Sequence, residues 1–212
     1  MAAKKPGRFI TLEGGEGAGK STQAKRLASA LEARKISAVI TREPGGSAGA
    51  EQVRKLLVEG EPGRWDPLSE TLLMFAARVD HVVQTIKPAL ESGAWVICDR
   101  FTDSTYAYQG AGRGVPREVI RRIESVALQE FRPDLSIVLD LPVEAGLERA
   151  SRRRGNEDRF EKFDLTFHEK LRAAFRDIAR RSPERCVLIE ATGNEDDVAE
   201  QVWKAVKTRF RL

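Results

Sequence analysis

Residues 8–22 read RFITLEGGEGAGKST, and this stretch decides the fold. It opens on Phe9, Ile10, Thr11 and Leu12, a short apolar and β-branched run of the kind that forms a buried strand. Next comes Gly14-x-x-x-x-Gly19-Lys20-Ser21, which satisfies the phosphate-loop pattern at each fixed position. Residues 22–34 then carry Ala24, Leu27, Ala28 and Leu31 at helical spacing. Strand, loop and helix in that order give the pattern its meaning; without them it is a glycine-rich turn before an ordinary helix. Glycines at 14, 15, 17 and 19 let the backbone curl closely around a polyphosphate. The cradle of Gly14, Gly15, Glu16, Gly17, Ala18, Gly19, Lys20, Ser21 and Thr22 would turn N–H groups and the positive end of the helix dipole towards an anion. Lys20 would reach the β- and γ-phosphates of a nucleoside triphosphate, and Ser21 would help hold Mg²⁺.

Working outward, apolar strand-like runs alternate with helical patterns. AVIT at 38–41, WVIC at 95–98, LSIVLDL at 135–141 and CVLIEA at 186–191 read as strands. Residues 49–58, 67–85, 116–131, 143–151 and 165–181 carry helical spacing, with Asp66-Pro67 and Asn194 as starting caps. Pro88 is expected to break or kink the helix before it. FTDSTYAYQGAGRG, at 101–114, reads as a polar and glycine-rich connection. RRRGNEDRFEKF, at 152–163, reads as a mobile charged loop. The alternation predicts an α/β fold of three layers, a five-stranded parallel sheet flanked by helices, in a single domain with a mobile lid at about 151–163. Ligands in such sheets bind at the carboxyl ends of the strands.

The 212 residues are 41% hydrophobic and 32% charged, enough to bury one large core. No apolar run approaches the ~20 residues of a membrane span, and the first residues lack the apolar segment of a signal peptide. The net charge of +4 suits anionic nucleotides; aromatics, at 7%, do not interleave with a basic run, so no nucleic-acid partner and no membrane partner are expected. Cys98 and Cys186 lie inside apolar strands and read as buried thiols, which points to a cytoplasmic protein rather than a disulfide scaffold. His81 and His168 have no companion ligands at metal-binding spacing.

Two strands end in or near aspartate. Asp99, followed by Arg100, is the expected Mg²⁺ partner of Ser21, and Asp140 is expected to be structural. An ordinary strand end with a local ion pair is the bland alternative for Asp99. A kinase for another small molecule, or a nucleotide-driven switch, shares the phosphate loop; the absence of an NKxD motif speaks against the switch.

At this point the motifs combine. GGEGAGKST, TREPGG, LLMFAAR, DRFTDSTYAYQG, FRPDLSIVLDL and GLERASRRRGNEDRFE occur in the order and spacing of the bacterial thymidylate kinases, and the resemblance covers nearly the whole chain. It implies transfer of the γ-phosphoryl group of ATP to dTMP by a Mg²⁺-dependent homodimer. It further implies that Arg78 and Arg100 bind the acceptor phosphate and that Glu16 lies near its sugar and phosphate. Phe75 resembles the ring stacked on thymine, although in several relatives that ring stands four residues before the arginine, where this chain has Met74. Ser104 falls in the acceptor-binding segment; Thr105 and Gln109 resemble the residues at the base edge, Tyr108 the ring beneath the deoxyribose, and Glu43 and Pro44 the loop across the base pocket. Arg149 resembles the residue stacked on adenine, with Thr192 beside it. Because Gly17 stands where other members carry an arginine, the transition-state cation is expected from Arg152, Arg153 or Arg154, with Arg153 as the choice and Arg159 next. The helices that begin near Pro67 and Pro116 are the expected dimer surface.

Overall fold

The computed structural model of the protein describes residues 7–152 and 158–212. Arg153 and Arg154 therefore lie outside the described residues, as do residues 1–6. Apolar runs at five places become strands β1 (Phe9–Glu13), β2 (Ala38–Arg42), β3 (Trp95–Asp99), β4 (Leu135–Asp140) and β5 (Cys186–Glu190). They form one parallel sheet in the order β2-β3-β1-β4-β5. β1 is central and every residue in it is buried, as expected of a strand covered on both faces. The chain adds strands first on one side of β1 and then on the other, so the switch point falls at its carboxyl end, where the phosphate loop begins.

Alternation within β1 assigns its side chains to two layers. Ile10 and Leu12 pack with Leu27, Ala28 and Leu31 of α1 (Lys20–Glu32) and with Val198, Val202 and Val206 of α9 (Glu195–Phe210). Burying one such aliphatic side chain contributes about 1.5–3 kcal/mol, so this seam anchors the helix that carries Lys20. Phe9 faces the other layer, against Phe75 of α3 (Pro67–His81), Ile86, Phe101 and Ile120 of α6 (Arg117–Leu128). A further group, with Phe167, Leu171 and Phe175 of α8 (Leu165–Arg181), packs beneath β4. No helix among the described residues is long and apolar enough to cross a membrane. The cysteines are buried and unpaired, as expected; burial raises Cys98 well above its ordinary range and pushes Cys186 up to about 12.

The caps read from the sequence are present. Asp66 accepts from Leu68 N and Ser69 N, and Asn194 from Asp197 N. Ser47 likewise caps α2 (Ala48–Val58), and Asp164 caps α8. One local expectation is sharpened and one corrected. The helix before Pro88 is not broken but distorted, by a π turn at Val82–Ile86 that leads directly into α4 (Lys87–Glu91), with the proline in its first turn. The wider turn lets the chain continue around a residue that has no N–H to donate. The stretch read as a connection is α5 (Thr102–Thr105) followed by a π turn at Tyr106–Gly112. Tertiary partners hold it there. Asp103 is clamped by Arg185 at 2.6 and 2.9 Å, and Arg185 also donates to Ser136 Oγ, which accepts from Thr11.

Candidate active site

Gly19, which has φ 89°, precedes helix α1, and no side chain caps the helix. Its first N–H groups are thus left to whatever occupies the loop. Gly17, at φ +66°, fixes how the loop meets α7 (Val143–Ser151): a Cβ there would lie 2.0 Å from the Gly146 carbonyl oxygen. An arginine at 17 has no room, consistent with a cation supplied from elsewhere.

The loop floors a cleft of about 840 Å³. Glu16, Gly17, Ala18, Gly19, Lys20, Ser21 and Thr22 line one part, with Arg149 at the edge. Gly14 and Gly15 turn their carbonyls inward, to Lys20 Nζ at 3.3 and 2.7 Å. Burial, and then the charge of Arg100, lowers the Lys20 pKa to about 8. Register pairs Leu12 with Asp99, which sets that carboxylate beside the loop, and Ser21 Oγ donates to it at 2.6 Å. A hydroxyl and a carboxylate next to a phosphate cradle form an oxygen donor set that fits Mg²⁺, which keeps most of its remaining positions for water and phosphate. Asp140 is occupied elsewhere, by Arg172 and Arg176 at 2.8 and 2.9 Å.

Arg100 connects the two ends of the cleft. It follows the strand with φ +74°, a conformation that costs a non-glycine residue about 1–3 kcal/mol. Its Nη1 donates to Gly14 O at 2.8 Å and Ser104 Oγ at 3.3 Å, and Nη2 to Glu16 Oε1 at 2.9 Å. Tyr108 donates to the same Glu16 oxygen at 2.6 Å, and the guanidinium lies 4.7 Å from its ring. Burial alone would lower the Arg100 pKa, but Tyr108, Glu16 and Asp99 outweigh it and hold the group above its ordinary value. Burial is also the first cause of the raised Tyr108 pKa.

The far part of the cleft is lined by Glu43, Pro44, Arg78, Ser104, Thr105, Tyr108 and Gln109. Arg78 is braced at every nitrogen: Nε donates to Glu43 Oε2 at 2.6 Å, Nη1 to Thr105 Oγ1 at 3.0 Å, and Nη2 to Phe101 O at 3.2 Å. Glu43 also meets His81 Nδ1 at 3.0 Å, and ligand atoms of Glu43, His81 and Cys98 lie within 4.8 Å of one another, a cluster the sequence did not suggest. With the Arg78 cation on the same carboxylate, this cluster is a hydrogen-bonded brace for the Glu43–Pro44 loop.

The structure separates some expected partners. Phe75 is not brought to the cleft: it is 2% exposed, packed in the core, with Arg78 4.9 Å above its ring. Met74, four residues before the arginine, lines the cleft in its place. Adjacent helical residues point about 100° apart, so only one can face the cavity. Thr192 bonds Glu190 and lies outside the lining, which Ala191, Gly193 and Asn194 supply. Arg152 is exposed and paired with Glu148 at 2.6 Å. Arg159 is fully buried, held by Glu70 and by the carbonyls of Leu57, Glu61 and Pro62. A guanidinium so enclosed is a structural clamp, which corrects its place as a reserve transition-state residue. Arg54, missed in the sequence, lines the cleft and donates to Pro44 O at 2.6 Å. Its signal was the helix turn it shares with Glu51, which caps Gly46 N at 2.9 Å.

An anion cradle and a second, polar pocket, with Arg100 reaching both, place the chain among the phosphate-loop nucleoside monophosphate kinases. A family model described as Thymidylate kinase matches residues 12–202. A thymidylate kinase of Nitrobacter hamburgensis is 53% identical over 205 residues, 96% of this chain and 89% of the relative. One of Caulobacter vibrioides is 52% identical over 97% of this chain and 99% of its own length. The crystal structure of thymidylate kinase from Ehrlichia chaffeensis superposes with a TM-score of 0.76 at 36% identity, covering 95% of this chain and 99% of that one. The chain belongs to the thymidylate kinase family.

Proposed function

We propose that the cleft transfers the γ-phosphoryl group of ATP to dTMP, giving dTDP and ADP. One observation carries this reading: the phosphate cradle and the braced Arg78–Thr105–Gln109 pocket open into a single cleft, with Arg100 between them. The triphosphate would lie in the loop against Lys20, with adenine towards Arg149 and Gly193. The monophosphate would lie with its phosphate at Arg100, its sugar by Tyr108 and Glu16, and its base between Met74, Thr105 and Gln109. Bound Mg²⁺ at Ser21 and Asp99 would offset phosphate charge.

Phosphoryl transfer asks for positioning and charge neutralisation more than covalent chemistry. Lys20 and Arg100 converge from two sides on the space between donor and acceptor, and an arginine of the lid, Arg153 by preference, would complete the ring of cations. The bonds that Arg100 donates to Gly14 O and Glu16 Oε1 preset its direction, so little reorganisation accompanies charge movement. Closing the lid would exclude water and suppress hydrolysis of ATP. The protein would act as a cytoplasmic homodimer.

A coupled assay of ADP formation over the common nucleoside monophosphates tests the assignment. dTMP should give the highest kcat/KM, dUMP a lower one, and purine monophosphates little turnover. Preference for any monophosphate other than dTMP would overturn it.

A further inference from the structure

Glu70 of α3 is fully buried between two partners of different kinds. One oxygen pairs with Arg159, whose guanidinium is otherwise wrapped in backbone carbonyls. The other accepts from Gln109 Nε2 at 2.9 Å. A carboxylate can only accept, so the Gln109 amide can face Glu70 in one orientation, with its NH₂ inward. The amide oxygen is then turned away from Glu70. No described residue donates to it, and Gln109 lines the cleft beside Thr105.

We propose that Glu70 is a specificity-determining positioning residue: by fixing the Gln109 amide it presents an acceptor to the base. Thymine and uracil carry a donor, N3–H, on the edge such an acceptor reads. Cytosine carries a bare N3 there, so two acceptors would meet in a buried place with no proton between them. The arrangement therefore selects keto pyrimidines against aminopyrimidines from a residue that does not touch the base. Arg159 supplies the countercharge and fixes the register of the carboxylate. The inference rests on the reading of Gln109 as facing the base.

Glu70→Gln tests it. The new side chain satisfies Arg159 with its oxygen, which leaves its NH₂ for Gln109. That amide must then turn over and offer its own NH₂ to the base. The ratio of kcat/KM for dTMP to that for dCMP should fall by about tenfold or more, a small part of the roughly 10⁴-fold selectivity that hydrogen-bonded sites reach. The change should lie mainly in KM for the monophosphate, with KM for ATP unmoved. dUMP should follow dTMP, which separates ring polarity from the methyl group. The ratio does not depend on the active fraction, so a merely structural role would leave it in place. If Glu70→Gln is insoluble, the double substitution Glu70→Met with Arg159→Met replaces the ion pair by apolar groups and frees the amide, and should narrow the same ratio. A ratio within about twofold of the parent's, in whichever variant is measured, overturns the proposal. A parent enzyme without activity on dTMP overturns the assigned reaction instead.

Discussion

Lys20 and Glu13 are both buried at the carboxyl end of the central strand, and each bears a cost that can be measured. Lys20 rests on the carbonyls of Gly14 and Gly15 with the Arg100 cation nearby. An anion between the cations would relieve their repulsion, so in the proposed reaction the residue would serve the ligand more than the fold. Lys20→Ala should abolish phosphoryl transfer with a Tm no lower than the parent's; substantial remaining turnover would remove Lys20 from the mechanism. Glu13 accepts from Phe101 N at 2.8 Å and Ser104 Oγ at 2.6 Å. Burial, and then Asp103, raises its pKa from 4.5 to about 8. The folded protein thus keeps a proton that the unfolded chain has released, so the contribution of Glu13 to stability is fully present below pH 4.5 and is lost as pH rises towards about 8. Glu13→Gln removes this titration, and its Tm should gain on the parent's steadily across that window, by on the order of a few kcal/mol in stability. A constant difference between the two melting curves over the same range would show that Glu13 does not titrate in this way.

Among the elements, α7 and the loop after it are the proposed source of the transition-state cation. Gly17 and Gly146 bring the phosphate loop and α7 into backbone contact, which closes position 17 to a side chain. Arg152 forms an exposed i,i+4 pair, so Arg152→Ala should change kcat little. Alanine at Arg153 or Arg154 should lower kcat by ~10³-fold or more in one case. Arg159→Ala should instead leave Glu70 buried without its countercharge and cost about 3–5 kcal/mol of stability, read from denaturant midpoints. Mild kinetic effects at all of 152, 153 and 154 would show that the lid is not the source. Part of the charged loop is drawn away from solvent: carbonyls from a distant turn hold Arg159 fully inside.

For the whole molecule, the exposed apolar side chains are informative. Leu68 and Leu72 share a face of α3 at 44% and 50% exposure, and Val126 on the adjoining α6 is 84% exposed. Such residues on neighbouring helices are the surface a second copy would cover, in line with the homodimer proposed above. Sedimentation should find a dimer, and Leu72→Glu with Val126→Glu should yield a folded monomer. A double variant that remains dimeric would move the interface elsewhere. The class of fold was legible at this scale, because five apolar runs alternating with helical periods leave few arrangements other than a covered parallel sheet.

The sequence by itself determined what local rules govern. The strand–loop–helix at residues 8–22, the caps at Asp66 and Asn194 and the helical and strand periods all depend on neighbours a few positions away, and they are found as read. Only the tertiary structure decided which side chains face the cleft. Asp99 meets Ser21 because β3 pairs with β1, whereas Asp140 is taken by α8. Met74 lines the cleft and Phe75 fills the core because the sheet and α6 set the rotation of α3. Residues 102–112 coil into helical turns because Arg185 and Glu13 hold Asp103 and Ser104 from other elements. In each case the deciding partner is tens of residues away, and pairing across such distances is fixed by packing, which periodicity does not encode.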